Sequence, residues 1–338
     1  MIKIENVRIN YGDFVALDNI NFTVNKGEFF TLLGPSGSGK STMLRAIAGF
    51  LEPSSGTISI DGKVVNNTPI ENRGIGMVFQ SYALFPSMNV FDNIAFGLNV
   101  EKADKTYIKE RVYELARMVD LSEDQLKKNV SELSGGQQQR VAITRALAKK
   151  PELLAMDEPL SNLDARLRKS LRQELKKIQH ELGVTTLYVT HDQEEALTLS
   201  NKIAVFSDGR LEQVGTPQEI YSNPATEFVC SFIGDSNLLS VNIINEIAPR
   251  LLEIASKKVF YIRPENLKIK PFSSEKASNE IVCKYLNDDY YGTHLIYRVL
   301  HEATNTIIEV QSQTLQENNF HEGEELILSI DPQKIHAF

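Results

Sequence analysis

A chain of 338 residues with 42% hydrophobic and 24% charged side chains has the composition of a soluble globular protein with room for two domains. Its net charge of −8 is shared evenly, −4 in residues 1–235 and −4 in residues 236–338, so no basic half exists and nucleic acid is not an expected partner. The two cysteines, Cys230 and Cys283, imply no disulfide framework, and with no export signal or run of ~18 apolar residues a cytosolic chain is expected, tied to any membrane only through a partner.

In chain order, residues 2–9 and 18–24 read as strands, separated by Tyr11-Gly12-Asp13-Phe14, which places an exposed aromatic ahead of the next element. Glu28 to Leu33 is an apolar run fit for a buried strand. It leads into Gly34-Pro35-Ser36-Gly37-Ser38-Gly39-Lys40-Ser41-Thr42, which fits the phosphate-loop pattern G-x-x-x-x-G-K-[ST]. Met43, Leu44, Ile47 and Ala48 then recur at helical spacing, and Gly49 closes the helix. Glycines let the backbone turn its N–H groups toward a polyphosphate, and the helix start adds unpaired donors and a positive dipole end. Lys40 is placed to reach the β- and γ-phosphates and the Ser41 hydroxyl to hold Mg²⁺, so the loop reads as a nucleotide site.

Residues 57–65 form a hairpin pattern around Asp61-Gly62. Ile75 to Gln80 is another apolar strand ending in a polar residue. The aromatic stretch from Ser81 to Gly97 fits either a satellite hydrophobic cluster or a docking surface. Residues 104–119 make an amphipathic helix, with Ile108, Val112, Leu115 and Val119 on one face. Ser134, Gly135, Gly136 and Gln137 open a second helix whose start is a second anion-binding end, or a plain N-cap. Leu153 to Glu158 is a strand ending in two carboxylates: Asp157 fits the group that steadies Mg²⁺, and Glu158 a base for an attacking water. After Ser161 to Asp164 comes a long amphipathic helix ended by Gly183, then the strand Thr185 to Thr190, which ends at His191. Three strands thus end in polar residues, where open α/β sheets gather ligands. Beyond about residue 235 the pattern becomes short alternating strands, expected to form a small β-barrel or sandwich.

Taken together, residues 1–235 resemble the ATP-binding cassette of ABC transporters, with phosphate loop, Leu133–Gln137 signature, Leu153–Glu158 strand and His191 in the family's order and spacing. The Ser134-Gly135-Gly136-Gln137 element is the more specific signal, since many nucleotide enzymes share the phosphate loop. The resemblance implies an α/β fold, a mixed sheet with a helical subdomain, and ATP with Mg²⁺ as ligands. It also implies roles: Tyr11 stacking on adenine, Gln80 contacting Mg²⁺ and the attacking water, Ser161 to Asp164 coupling two sites, and His191 contacting the γ-phosphate. Two cassettes would pair head to tail, each phosphate loop facing the other chain's signature. Tyr261-Ile262-Arg263-Pro264-Glu265 is similar to a motif in the C-terminal regulatory barrels of importer ATPases that handle iron, polyamines, phosphonates, sulfate or sugars. The resulting expectation is an importer ATPase at the cytoplasmic face of the membrane, working with integral-membrane permease subunits and, through them, an extracytoplasmic solute-binding protein. The alternative is a non-transport ATPase of the same type acting on nucleic acid or ribosomes. It is disfavoured by the single cassette and by the lack of coiled coil in the 100 residues from Gly34 to Ser134.

Overall fold

The computed structural model describes residues 2–254, 259–273, 275–313 and 320–338. They divide into two compact units, Met1–Ile220 and Tyr221–Phe338. In the first, an antiparallel sheet is ordered Phe14–Val24, Ile2–Tyr11, Ser55–Ile60, Lys63–Val64. A second, six-stranded sheet runs Arg210–Gly215, Lys202–Ser207, Phe29–Leu33, Thr185–Thr190, Leu153–Asp157, Ile75–Val78. All its pairs are parallel except the hairpin Lys202–Ser207 with Arg210–Gly215.

Burial explains the strand patterns. Phe29–Leu33 and Thr185–Thr190 are buried at every position, so each reads as an unbroken apolar or β-branched run rather than an alternation. One face of the parallel sheet packs Phe30, Leu32, Ala155, Leu187 and Val189 against the antiparallel sheet and the helix Lys40–Ala48. Phe22 and Phe30 stack there with centroids 5.2 Å apart. The other face, through Phe29, Leu154, Met156 and Tyr188, meets a helical cluster that includes Val90–Val100, Lys105–Met118 and Gly135–Leu147. The amphipathic helix expected over 104–119 is present, capped by Asp104, whose carboxylate accepts from the Thr106 and Tyr107 amides. The aromatic stretch joins this cluster: Tyr82 is buried, the Phe85 and Phe96 rings lie 4.4 Å apart, and the Arg145 guanidinium sits 5.2 Å over Phe85.

The phosphate-loop helix ends as its sequence announces. Gly49 takes φ 96°, and its N–H returns to the Arg45 and Ala46 carbonyls. A residue the pattern does not flag completes the cap. Arg73, almost fully buried, donates to the Ala46 and Ile47 carbonyls through Nη1 and to Thr68 and Asn66 through its other nitrogens. Removing that side chain would strand four carbonyls, at about 1–3 kcal/mol for each one left buried without a partner.

The second unit has a three-stranded sheet, Asn237–Leu239, Phe260–Ile262, His336–Ala337, and a curled five-stranded antiparallel sheet. The latter is ordered Leu267–Pro271, Glu325–Ile330, Glu280–Tyr290, Leu295–His301, Thr306–Ser312. They enclose one core built on Phe260, Ile281, Val299, Ile308 and Leu326. Short helices Val241–Ile247 and Pro249–Ile254 also belong here, although strand spacing does not announce them; Ser240 caps the first and Ile243, Ile244 and Ile247 bury its inner face. Arg263, only 1% exposed, stacks on the Tyr221 ring and donates to the carbonyls of Tyr221, Gly234 and Asp235. It thereby ties residues 221–235 to the barrel sheets. Both cysteines are free and buried.

Candidate active site

Parallel pairing brings the polar strand ends to one edge. Leu33 lies beside Thr190 and Asp157 beside Val189, so the phosphate loop, the carboxylate pair and His191 leave the sheet as neighbours. An open pocket of about 410 Å³ lies at that edge, lined by Tyr11, Phe14, Ala16, Ser36, Gly37, Gly39, Lys40, Ser41, Thr42, Gln80 and Glu158.

The loop's backbone explains its glycines. Gly39 sits at φ 99° immediately before the helix, and a Cβ there would lie 2.5 Å from the Leu17 side chain. A Cβ at Gly34 would come 2.3 Å from the Phe206 carbonyl. The helix Lys40–Ala48 has no side-chain N-cap, so its first N–H groups face the pocket unclaimed by a side chain. Lys40, 4% exposed, donates to the carbonyls of Gly34 and Pro35, both at 2.8 Å. Burial lowers its ammonium pKa, while Glu158 and Asp157 pull the other way. The buried Ser38 hydroxyl has no partner among the described residues.

Around this cradle the remaining side chains form a connected set. The Ser41 hydroxyl donates to Asp157 Oδ1 at 2.7 Å. Glu158 takes a left-handed φ of 46°, and its N–H donates to the Val189 carbonyl at 3.0 Å. That conformation is uncommon for a residue with a Cβ, and here it turns the side chain out of the strand line into the pocket. Glu158 Oε2 is 3.2 Å from His191 Nδ1. Gln80 donates through Nε2 to Ser161 Oγ at 3.2 Å, and Ser161 Oγ in turn donates to the Glu158 carbonyl. Asn162 donates to the Gln80 carbonyl.

The residues singled out by sequence therefore fall into two groups. Tyr11, the phosphate loop, Gln80, Asp157, Glu158 and His191 converge on one pocket, Asp157 through Ser41 and His191 through Glu158. Ser134, Gly135, Gly136 and Gln137 do not line it. Their helix is closed on itself by a capping box, Gln137 N–H to Ser134 Oγ and Ser134 N–H to Gln137 Oε1, with Ser134 and Gly135 exposed. Phe14, 68% exposed, also lines the pocket. Its signal was an aromatic close to Tyr11 on the solvent side of a turn.

Oxygen-rich chemistry at Ser41 and Asp157 suits a hard divalent cation: a hydroxyl and a carboxylate face each other, with the Gln80 amide in the same pocket. Among the described residues there is no group of three or more histidine, cysteine and carboxylate side chains able to hold a metal by itself.

Comparison with known proteins follows the same division. Residues 17–161 match the family described as ABC transporter, and residues 260–338 match the TOBE domain. The chain is 42% identical to the "Spermidine/putrescine import ATP-binding protein PotA" of Mannheimia succiniciproducens, over 92% of this chain and 87% of that protein. It is 41% identical to the protein of that name from Acetivibrio thermocellus, over 99% and 96%, and 44% identical to that from Borrelia garinii, over 95% and 93%. In structure it resembles the dimeric bacterial ABC transporter cassette MJ0796, with a TM-score of 0.58 and 36% identity over 64% of this chain and 99% of that one. It also resembles cbiO1 of Clostridium perfringens, part of an ABC transporter complex, with a TM-score of 0.61 and 31% identity over 75% and 97%. The nucleotide cradle, the signature helix and these relatives together place the chain in the ABC transporter family, as the ATP-hydrolysing subunit of an importer.

Proposed function

We propose that this chain hydrolyses ATP to drive uptake of polyamines, spermidine and putrescine, through separate permease subunits fed by an extracytoplasmic binding protein. The observation that carries the solute is the shared name of relatives 41–46% identical over most of the chain. No helix among the described residues is long and apolar enough to cross a membrane, which fits a peripheral subunit held at the cytoplasmic face by its permeases. Residues 236–338 are read as a regulatory tail on a cassette of residues 1–235.

In this reading Tyr11 stacks on the adenine and the phosphate-loop N–H groups hold the phosphates. Lys40 moves its ammonium from the Gly34 and Pro35 carbonyls to the β- and γ-phosphates. Ser41, Asp157 and Gln80 would hold Mg²⁺, which when bound neutralises charge on the phosphates. Glu158 takes the proton of the attacking water, and His191 Nδ1, 3.2 Å from Glu158, holds that carboxylate beside the γ-phosphate that His191 contacts. Two chains pair so that each pocket is completed by Ser134 to Gln137 of the partner subunit. The half-buried rings of Phe85, Phe91 and Phe96 supply a docking face for a permease helix near Gln80.

The deciding experiment reconstitutes the chain with its permease subunits and follows ATP hydrolysis against lumenal solutes presented by their binding protein. Stimulation by spermidine or putrescine supports the reading, and stimulation by ferric iron, sulfate or a sugar instead overturns the solute. Glu158→Gln in the same vesicles should keep ATP binding and lose hydrolysis by at least the ~10²-fold expected of a missing general base.

A further inference from the structure

We infer that Arg168 is a positioning residue for ATP hydrolysis, holding the His191 turn and the Ser161–Asp164 loop in one fixed relation. The inference rests on the proposed role of His191 at the γ-phosphate. Arg168 stands one turn into the helix Ala165–Leu182, away from the pocket lining, and its planar fork engages two separate segments at once. Nη1 donates to Asp192 Oδ2 at 3.2 Å, and Nη2 donates to the Leu163 carbonyl at 3.0 Å. The first contact grips the residue after His191, the second the loop whose Ser161 meets Gln80 and the Glu158 carbonyl.

The His191 turn is built to be gripped there. Asp192 Oδ1 caps the helix Gln193–Leu199 by accepting from the Glu195 N–H, leaving Oδ2 for Arg168. Beneath it Glu195, 3% exposed, accepts from the hydroxyls of Tyr188 and Thr190, while Thr190 Oγ1 accepts from the Asp192 N–H. Arg168 Nε faces Glu195 Oε1 at 3.9 Å, and Arg172, one turn along, pairs with Glu194 at 3.0 Å. His191 itself is half exposed, with Glu158 the contact of its ring, so its placement depends on the anchoring of its neighbours. The other end of the grip reaches the signature helix: Leu163 and Leu167 pack on Gly135 and Gly136, where added Cβ atoms would lie 3.3 and 2.9 Å from the two leucines. One guanidinium therefore connects the residue over this chain's own γ-phosphate position with the helix start offered to the partner's. A lysine carries the charge but lacks the fork that serves both acceptors in one plane.

The test measures kcat, KM, ATP dissociation constant and melting temperature for Arg168→Ala, Arg168→Lys, Asp192→Asn, the Arg168→Ala/Asp192→Asn double variant and His191→Ala, in the full chain. Asp192→Asn keeps the capping oxygen and removes the charge facing Arg168. Arg168→Ala should lower kcat on the order of 10- to 100-fold, as misplacement of a reacting group does, with ATP binding and melting temperature little changed. Arg168→Lys should recover part of that loss, and the double variant should be no worse than Arg168→Ala, because one contact is lost in both. Parental kcat in Arg168→Ala beside an inactive His191→Ala overturns the inference alone. Parental kcat in His191→Ala overturns the reading beneath it as well. Additive losses in the double variant, or kcat, affinity and melting temperature falling together, mark a general structural role and also overturn it.

Discussion

Two helices in the first unit begin with glycine-rich turns, and they solve the problem of their unpaired N–H groups in opposite ways. Lys40–Ala48 starts from a left-handed Gly39 with no side chain capping it, over a pocket lined by its own loop. Gly135–Leu147 starts from Ser134 with both halves of a capping box in place, exposed and outside that pocket. The first is a cradle that a phosphate completes. The second is complete by itself, stable without a ligand, and able to offer Ser134 and its glycine backbone to an anion brought by another molecule. In the proposed pairing both kinds would be used: one end to bind nucleotide before assembly and one to join only when the chains meet.

Breaking the first cradle should have the largest effect. Lys40→Ala removes charge-assisted bonds worth on the order of 10- to 100-fold in ATP affinity, and Gly39→Ala should match it by forcing a Cβ onto Leu17 at a left-handed φ. Titration with a fluorescent ATP analogue would read both; affinity retained in either would dismiss the cradle as the nucleotide site. The second helix start should respond differently. Ser134→Ala should leave ATP affinity of the single chain untouched while hydrolysis at dimer-forming concentrations falls about 10-fold or more, one anion contact being lost. Gln137→Ala opens the capping box and should cost about 1 kcal/mol of stability, read as a shift in the urea midpoint, beside any loss of hydrolysis from the partner's pocket that it helps complete. Loss of ATP affinity in Ser134→Ala at high dilution would show that the two ends act within one chain.

The smallest effect concerns the ground beneath His191. Burial lifts the Glu195 carboxyl above the usual carboxylate range, more than the Thr190 and Tyr188 hydroxyls draw it down. A raised value in the folded state means that folding takes up a proton. Glu195 therefore favours the fold below the unfolded carboxylate pKa and withdraws that support as pH rises from there to the folded value, by at most about 1.4 kcal/mol per pH unit. Glu195→Gln keeps an acceptor for the two hydroxyls and should flatten that part of the stability curve, seen in urea melts across the weakly acid range. An unchanged slope would place the titration elsewhere.

Much of this architecture was legible because it obeys local rules. Apolar runs ending in Gln80, Asp157-Glu158 and His191 marked parallel strands delivering polar groups to one edge, and the pairing of Leu33 with Thr190 and Asp157 with Val189 follows. The Ser134 cap was one of two readings the sequence offered, and the hairpin at Asp61-Gly62, whose two residues both take positive φ, was legible outright. What stayed hidden was the work of arginines over long sequence distance. Arg73 reaches back 27 residues to the Ala46 carbonyl, Arg168 forward 24 to Asp192, and Arg263 back 42 to Tyr221. A guanidinium leaves no periodicity, and its acceptors, main-chain carbonyls for Arg73 and Arg263 and one distant carboxylate for Arg168, give no local pattern that pairs them with it. The tail helix Val241–Ile247 was missed for another reason: at seven residues, rich in β-branched isoleucine, it looks like a strand unless Ser240 is weighed as its cap.

Lys40 carries a consequence for selectivity. Its ammonium is already bonded to the Gly34 and Pro35 carbonyls at 2.8 Å, so a nucleotide enters as a competitor in an exchange. A triphosphate offers anionic oxygens far enough along the chain to outbid two neutral carbonyls for the same cation. On the proposed reading, a monophosphate held at the near end of the loop would leave the ammonium where it stands and bind through the loop's amides alone. The phosphate loop would thereby measure the length of the phosphate chain, using its own backbone as the reference ligand.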